Sequence, residues 1–481
     1  MRGCPKHGIF RPVGCPKRGI FWLDSCPKRG TFCLISCLKR GILLKIGGFM
    51  LKRKLYGKLK EWKSAQKKEC LLVKGARQVG KTYLIRQFGN NEYKAFYELN
   101  FYENKEYSTI FDGSLDPKEI YNKMSLYIED FKIIDNSTLI FLDEIQFCPR
   151  ARTALKFLAM DKRCDVIASG SMLGLHYKEI ESVPVGYEHS IEMYSLDFEE
   201  FLWGLGVNEN AISILRDYFE NDGKVDDDIN EKYLGYINDY LIVGGMPEVV
   251  ANYVDNRNYQ EASDIQEKIV KSYRDDIIKY AEASEKTKIL KCFDSITIQL
   301  AKDNTKFQYK KIETGGSNKK YANSIEWLID AGIIRKCYNI SLPELPLKAF
   351  YELDNFKIYM LDVGLLTHMY GLQTQLTLKK NGIKNTGKGG IFENLVFDIL
   401  NKMGKTLYYF KNASNSQEIE FLYECEGGVI PVEVKSKNGK TISLNNYIEK
   451  YNPDIAYKVI YGNKGQDGKK KTIPYYMLIF I

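Results

Sequence analysis

Residues 71–82, LLVKGARQVGKT, set a lysine and a threonine directly after a loop bounded by two glycines. An apolar strand leads into Gly75, then Ala76, Arg77, Gln78 and Val79, then Gly80, Lys81 and Thr82, and the helical pattern YLIRQF follows. This order is a phosphate-binding loop. Its glycines let backbone N–H groups wrap a β-phosphate where a Cβ would block the conformation. Lys81 brings a point charge to the β and γ oxygens, and the Thr82 hydroxyl is a ligand for Mg2+. The helix that follows turns its positive N-terminal end toward the anion. The second half of the chemistry lies in TLIFLDE, residues 138–144. A fully apolar strand delivers its acids at the C-terminal end, where α/β sheets carry their sites. Asp143 is expected to hold Mg2+ through water, and Glu144 to polarise the attacking water as general base. A third strand, DVIASGS (165–171), ends in Ser169, Gly170 and Ser171. Ser169 is the candidate sensor of a γ-phosphate, with Ser171 next. Arg274, in SYRDDIIKY, is a candidate γ-phosphate arginine acting in its own or a neighbouring subunit. The alternative is a helix-surface arginine paired with Asp275 or Asp276.

These residues need a scaffold that brings several strand ends together. AFYELNF (95–101) and SIEMYSL (190–196) supply further strands. The expected fold class is α/β, with a five-stranded parallel sheet covered by helices on both faces. MLKRKLYGKLKEWK, from Met50, reads as an amphipathic first helix of this domain. Its expected span is 50–196. Residues 197–283 are helical by pattern, as a lid would be.

GARQVGKT, FLDEIQ, ASGSML, YSLDFEEFL and GGMPEVV occur in that order. Together they resemble the prokaryotic AAA-type P-loop ATPases whose C-terminal half is a domain of unknown function. The resemblance covers about residues 50–440. It implies ATP as ligand, Mg2+ as cofactor and ATP hydrolysis, and it implies no biological role.

The segment 284–372 reads helix, short helix, helix and two strands, the order of a winged helix. Ser317, after Gly315 and Gly316, stands where an N-cap belongs. Were this unit to bind DNA, Asn318, Lys319, Lys320 and Asn323 would lie at the reading end of its second long helix. The alternative is a winged helix that only packs between domains. In 373–481, Glu393 sits in the helical GIFENLVFDILNKMG, before the strand patterns LYYFKN, QEIEFLYE and VIPVEVKS. Glu420, Glu433 and Lys435, with Glu393 from the helix, resemble the acid and (D/E)-x-K motif of restriction-endonuclease-like cores. That resemblance implies a Mg2+ site in which Lys435 orients water. The glutamate at 420 departs from the usual aspartate and lengthens that arm by one methylene.

Composition narrows the classes. The chain has 481 residues, 44% hydrophobic and 27% charged, which excludes wholesale disorder and a multi-span membrane protein. Residues 1–49 hold ten basic residues against the single acid Asp24, so they account for the whole +9 and the remainder is neutral. A strongly basic nucleic-acid binder is therefore not expected, although the neutral total leaves room for a local basic face. CPKHGIF, CPKRGIF, CPKRGTF and CLKRGIL recur every 11 residues from Cys4. Units so short and so rich in Pro and Gly do not bury a core, and they read as a disordered basic tail or as translated repetitive DNA ahead of the true start. The eleven cysteines form no disulfide framework, which points to a reducing, cytoplasmic setting. A chain beginning at Met50 is expected to match the full chain in thermal midpoint and ATPase rate, and a fall of several degrees on truncation would count against the tail reading. The competing readings are an ATP-regulated DNA nuclease and a nucleotide-dependent switch with little turnover. A homo-oligomer or a protein partner fits each of them.

Overall fold

β1 (Cys70–Lys74) has no solvent face because both of its sides are covered. Leu71 and Val73 enter one apolar cluster, and Cys70 and Leu72 enter another. The same alternation governs β3 (Thr138–Asp143) and β4 (Asp165–Gly170). A period of two with both faces apolar is the mark of a buried parallel sheet. With β2 (Ala95–Asn100) and β5 (Glu188–Glu192), the strands lie in the order β2-β3-β4-β1-β5, and every pairing is parallel. The last strand begins two residues earlier than SIEMYSL suggests and ends at Glu192. This computed structural model describes residues 51–66, 68–171, 186–221, 223–301, 306–381, 389–412, 417–435, 439 and 441–481. The repeats of residues 1–49 lie outside the described residues.

Helix α1 (Lys54–Ser64) buries Leu55 and Leu59 one turn apart, and α2 (Lys81–Glu92) follows the phosphate loop. Helices α3 (Pro117–Tyr127) and α4 (Pro149–Asp161) cover the other face of the sheet. Five helices come next: α5 (Phe198–Gly204), α6 (Glu209–Glu220), α7 (Asp227–Val243), α8 (Pro247–Asn256) and α9 (Tyr259–Tyr280). Asp197 and Glu200 close a reciprocal capping box on α5.

The order helix, short helix, helix, two strands is present as α10 (Lys286–Leu300), a turn at Tyr309–Lys311, α11 (Asn318–Asp330), β6 (Ile334–Ile340) and β7 (Tyr351–Met360). Ser317 occupies the N-cap position of α11, but its side chain makes no capping bond. Then come α12 (Val363–Met369), α13 (Leu372–Asn381), α14 (Gly389–Lys402), β8 (Tyr408–Lys411), β9 (Glu418–Cys425) and β10 (Gly428–Lys435). The chain closes with α15 (Ile442–Tyr451), β11 (Ala456–Ile460), β12 (Gly465–Asp467), β13 (Lys470–Pro474) and a turn of 3-10 helix, Tyr475–Phe480.

A division at residue 372 does not divide the sheet. β6 pairs parallel with β8, so the β6–β7 hairpin joins the later strands in one eight-stranded sheet, β12-β13-β11-β10-β9-β8-β6-β7. One apolar cluster runs from β1 through helices α5 to α9 into this second sheet, and residues 49–481 form one compact unit. Among the described residues, no helix is long and apolar enough to cross a membrane. The described cysteines are free thiols, with only Cys425 exposed.

Candidate functional site

The phosphate loop is held by backbone that other residues rarely adopt. Gly80 has φ of 95°, and Gln78, with a side chain, is also left-handed at 67°. A Cβ on Gly75 would sit 2.1 Å from the Met193 carbonyl oxygen. Lys81 is 6% exposed, and its Nζ donates to the carbonyls of Gly75 and Ala76, each at 2.8 Å. Burial pulls its ammonium down to about 8, while Glu144 and Asp143 pull the other way. A bound phosphate would add to that second pull, because an opposite charge favours the ionised form.

β4 lies between β1 and β3, so the ends of these strands converge on Asp143. The buried carboxylate accepts from Thr82 Oγ1 at 3.0 Å, from Asn100 Nδ2 at 3.2 Å and from Ser169 Oγ. Hard oxygens from Thr82 and Asp143, 3.0 Å apart beside a phosphate loop, suit Mg2+. Ser169 is therefore buried against Asp143, whereas Ser171 lines the open cleft. Asn100 is absent from the sequence-derived candidates. Its only signal is a polar residue at the end of an apolar strand, and the register Asn100–Asp143 makes it a neighbour.

Glu144 is left-handed, with φ 52° and ψ 46°, and leads into a 3-10 turn. Burial raises its carboxyl above the ordinary range, against the pull of Lys81. It faces a cleft lined by Arg77, Tyr102, Glu144, Gln146, Phe147, Ser171, Asp276 and Tyr280.

The loop is also tied to its surroundings. Arg53, just ahead of α1, donates to the Val79 carbonyl at 3.0 Å and the Tyr194 carbonyl at 2.6 Å, and pairs with Glu200 at 3.1 Å. From α9, Asp276 pairs with Arg77, Tyr273 donates to the Arg77 carbonyl at 3.3 Å, and Ser272 accepts from Gln78 at 3.4 Å. Arg274 is not among these contacts. Its guanidinium pairs with Asp294 of α10 at 2.6 Å and lies over the Phe293 ring. The pairing with Asp294 stands in place of the expected one with Asp275 or Asp276. Gly332, after α11, abuts Ala76, so the second half of the chain touches the loop directly.

Glu393, Glu420, Glu433 and Lys435 do converge. Antiparallel pairing of Phe421 with Val432 brings Glu420 beside Glu433. Lys435 Nζ lies 2.9 Å from Glu433 and 3.4 Å from Glu420. Glu433 also accepts from the Leu444 N–H at 3.1 Å. Burial raises the Glu420 carboxyl, against the pull of Lys435. The sequence offered no hint of Lys357, which is 1% exposed on β7. Its ammonium lies 2.9 Å from Glu418 and 3.3 Å from Glu393, and Glu393 also accepts from Tyr359 at 3.0 Å. The carboxylates are thus matched by lysines. Among the described residues, no group of three His, Cys, Asp or Glu is placed to hold a metal ion. At the winged-helix position, Asn318, Lys319, Lys320 and Asn323 are exposed. Lys320 pairs with Glu313, and Asn318 bonds Tyr309 and Asp354 at 3.0 Å each.

Residues 67–202 match the AAA domain family. Residues 235–376 match a domain of unknown function, DUF8612, and residues 388–478 match another, DUF4143. No curated protein matches the chain. Similar solved structures include the Walker-type ATPase PABY2304 of Pyrococcus abyssi, 12% identical over 67% of this chain and 96% of that one, at a TM-score of 0.41. The ORC1 protein of Aeropyrum pernix, solved in complex with DNA, is 12% identical over 69% and 95%, at a TM-score of 0.27. Structural likeness this low carries no argument. The AAA match, the all-parallel sheet and the phosphate loop define an AAA-type P-loop ATPase domain, whose site is built to bind nucleotide.

Proposed function

We propose that this protein binds ATP with Mg2+ and hydrolyses it, coupling nucleotide state to its C-terminal half. The observation that carries the reading is the meeting of Thr82 and Ser169 on Asp143, with Lys81 and Glu144 on either side. The loop N–H groups and Lys81 hold the phosphates, and Thr82 and Asp143 hold Mg2+, which supplies charge neutralisation. Glu144 takes a proton from water as its oxygen bonds the γ-phosphorus. The bond from that phosphorus to the bridging oxygen breaks, and ADP departs with the electron pair. Ser171, on the cleft, is a better γ-phosphate sensor than Ser169, which supports Asp143. Arg274 acts on a γ-phosphate only from a neighbouring subunit, after leaving Asp294.

Coupling is supported by the contacts of α9 with Arg77 and Gln78 and of Gly332 with Ala76. The winged-helix reading of 284–372 rests on its element order, and the exposed N-terminal end of α11 suits a DNA backbone. A nuclease-like reading of the last segment rests on its order of helix, three antiparallel strands, helix and parallel strand. Cleavage is not part of the proposal. Lys81→Ala tests the nucleotide site. It is expected to abolish ATP binding by equilibrium dialysis while the thermal midpoint holds, since among the described residues the ammonium donates to two loop carbonyls and to no element of the core. Wild-type affinity in this variant would sink the phosphate-loop assignment.

A further inference from the structure

Two residues beyond Glu144 lies a buried amide that the scheme above leaves unused. Gln146 is 8% exposed and lines the cleft with Glu144, Arg77 and Ser171. Its Nε2 donates to Glu144 Oε2, while its Oε1 has no hydrogen-bond partner among the described residues. A buried carbonyl oxygen without a donor is costly, and in a folded protein it calls for an explanation.

Local backbone accounts for the pairing. The left-handed conformation of Glu144 is strained for a residue with a side chain, so its surroundings must impose it. Ile145 and Cys148 are buried in the apolar cluster that also holds Leu142 and Leu155. Anchoring both folds Ile145–Phe147 into a 3-10 turn, which carries Gln146 back toward Glu144. Phe147 is braced by Tyr102, with ring centroids 5.4 Å apart, and by Tyr280 of α9 at 6.2 Å. Asp143 cannot orient Glu144, because its oxygens are engaged by Thr82, Asn100 and Ser169.

We propose that Gln146 is the positioning residue for the hydrolytic water: its N–H fixes the Glu144 carboxylate, and its unpartnered oxygen accepts the second hydrogen of the water that Glu144 activates. Two acceptors then hold both hydrogens, and a lone pair of the water faces the γ-phosphorus. An ordered water of this kind needs two to four polar partners, and these residues supply two. The inference rests on the hydrolytic reading of this site.

Gln146→Met keeps the length and volume of the side chain and removes both polar atoms. ATP affinity and thermal midpoint are expected to stay near wild type, while kcat falls about tenfold or more with KM unchanged. A merely structural role would lower affinity and kcat together, which would overturn the assignment. So would a kcat within twofold of wild type. Absence of turnover in the wild-type protein, with ATP bound, would instead overturn the hydrolytic reading and this inference with it.

Discussion

Glu144→Gln is expected to bind ATP as tightly as the wild type and to lose about 10²- to 10⁴-fold in turnover, the usual contribution of a general base. The amide keeps the shape of the carboxylate, and the strained backbone at this position is unchanged. What it loses is the capacity to take a proton from water. Asp143→Asn should behave differently. Asp143 is buried and accepts from Thr82, Asn100 and Ser169. An amide NH2 would face donors on at least one side, and a neutral group is a poor partner for a hard divalent cation. That variant should lose the Mg2+-dependent part of its ATP affinity before any effect on chemistry is seen. Phosphate release under saturating ATP, together with equilibrium binding with and without Mg2+, separates the two. Identical behaviour of the two variants would show the division of roles to be wrong.

Lys357→Met is expected to be among the most destabilising single changes in the C-terminal half, at about 3–5 kcal/mol. The ammonium is buried on β7, within 2.9 Å of Glu418 and 3.3 Å of Glu393. Burial works against its charge, but Glu393 and Glu418 outweigh it and hold the lysine above its ordinary range. Methionine fills the same volume but leaves those carboxylates without their shared cation. The loss should depend on pH. Burial alone would raise the Glu418 carboxyl, yet Lys357 and Lys411 hold it below its ordinary value. A depressed acid contributes stability above its unfolded pKa, and that contribution fades as pH falls through the folded value. Wild type and variant should therefore differ most near neutral pH and converge in acid. Urea midpoints at several pH values would measure this. A penalty under about 1 kcal/mol at neutral pH would mean that the carboxylates are already relieved by solvent or by one another.

The phosphate loop, the Asp143–Glu144 pair and the parallel sheet were legible in the residue order because each depends on short-range geometry. A glycine five residues before another, followed by Lys-Thr and a helix, dictates backbone shape within one turn of chain. Apolar runs such as TLIFL declare a strand covered on both faces. Such features need no partner from elsewhere in the chain to be recognised.

Tertiary packing alone decided the rest. Arg53 reaches Val79 and Glu200, Asn100 reaches Asp143, and Arg274 chooses Asp294 over its sequence neighbours. Lys357 enters the carboxylate cluster from a strand that seemed to belong to another unit, because β6 pairs with β8 and merges the two into one sheet. No spacing announces such contacts. They arise where helices and strands distant in the chain bury a common apolar core. A cation or amide carried into that core must find a charge or hydrogen-bond partner there, since an unpaired polar group is costly to bury.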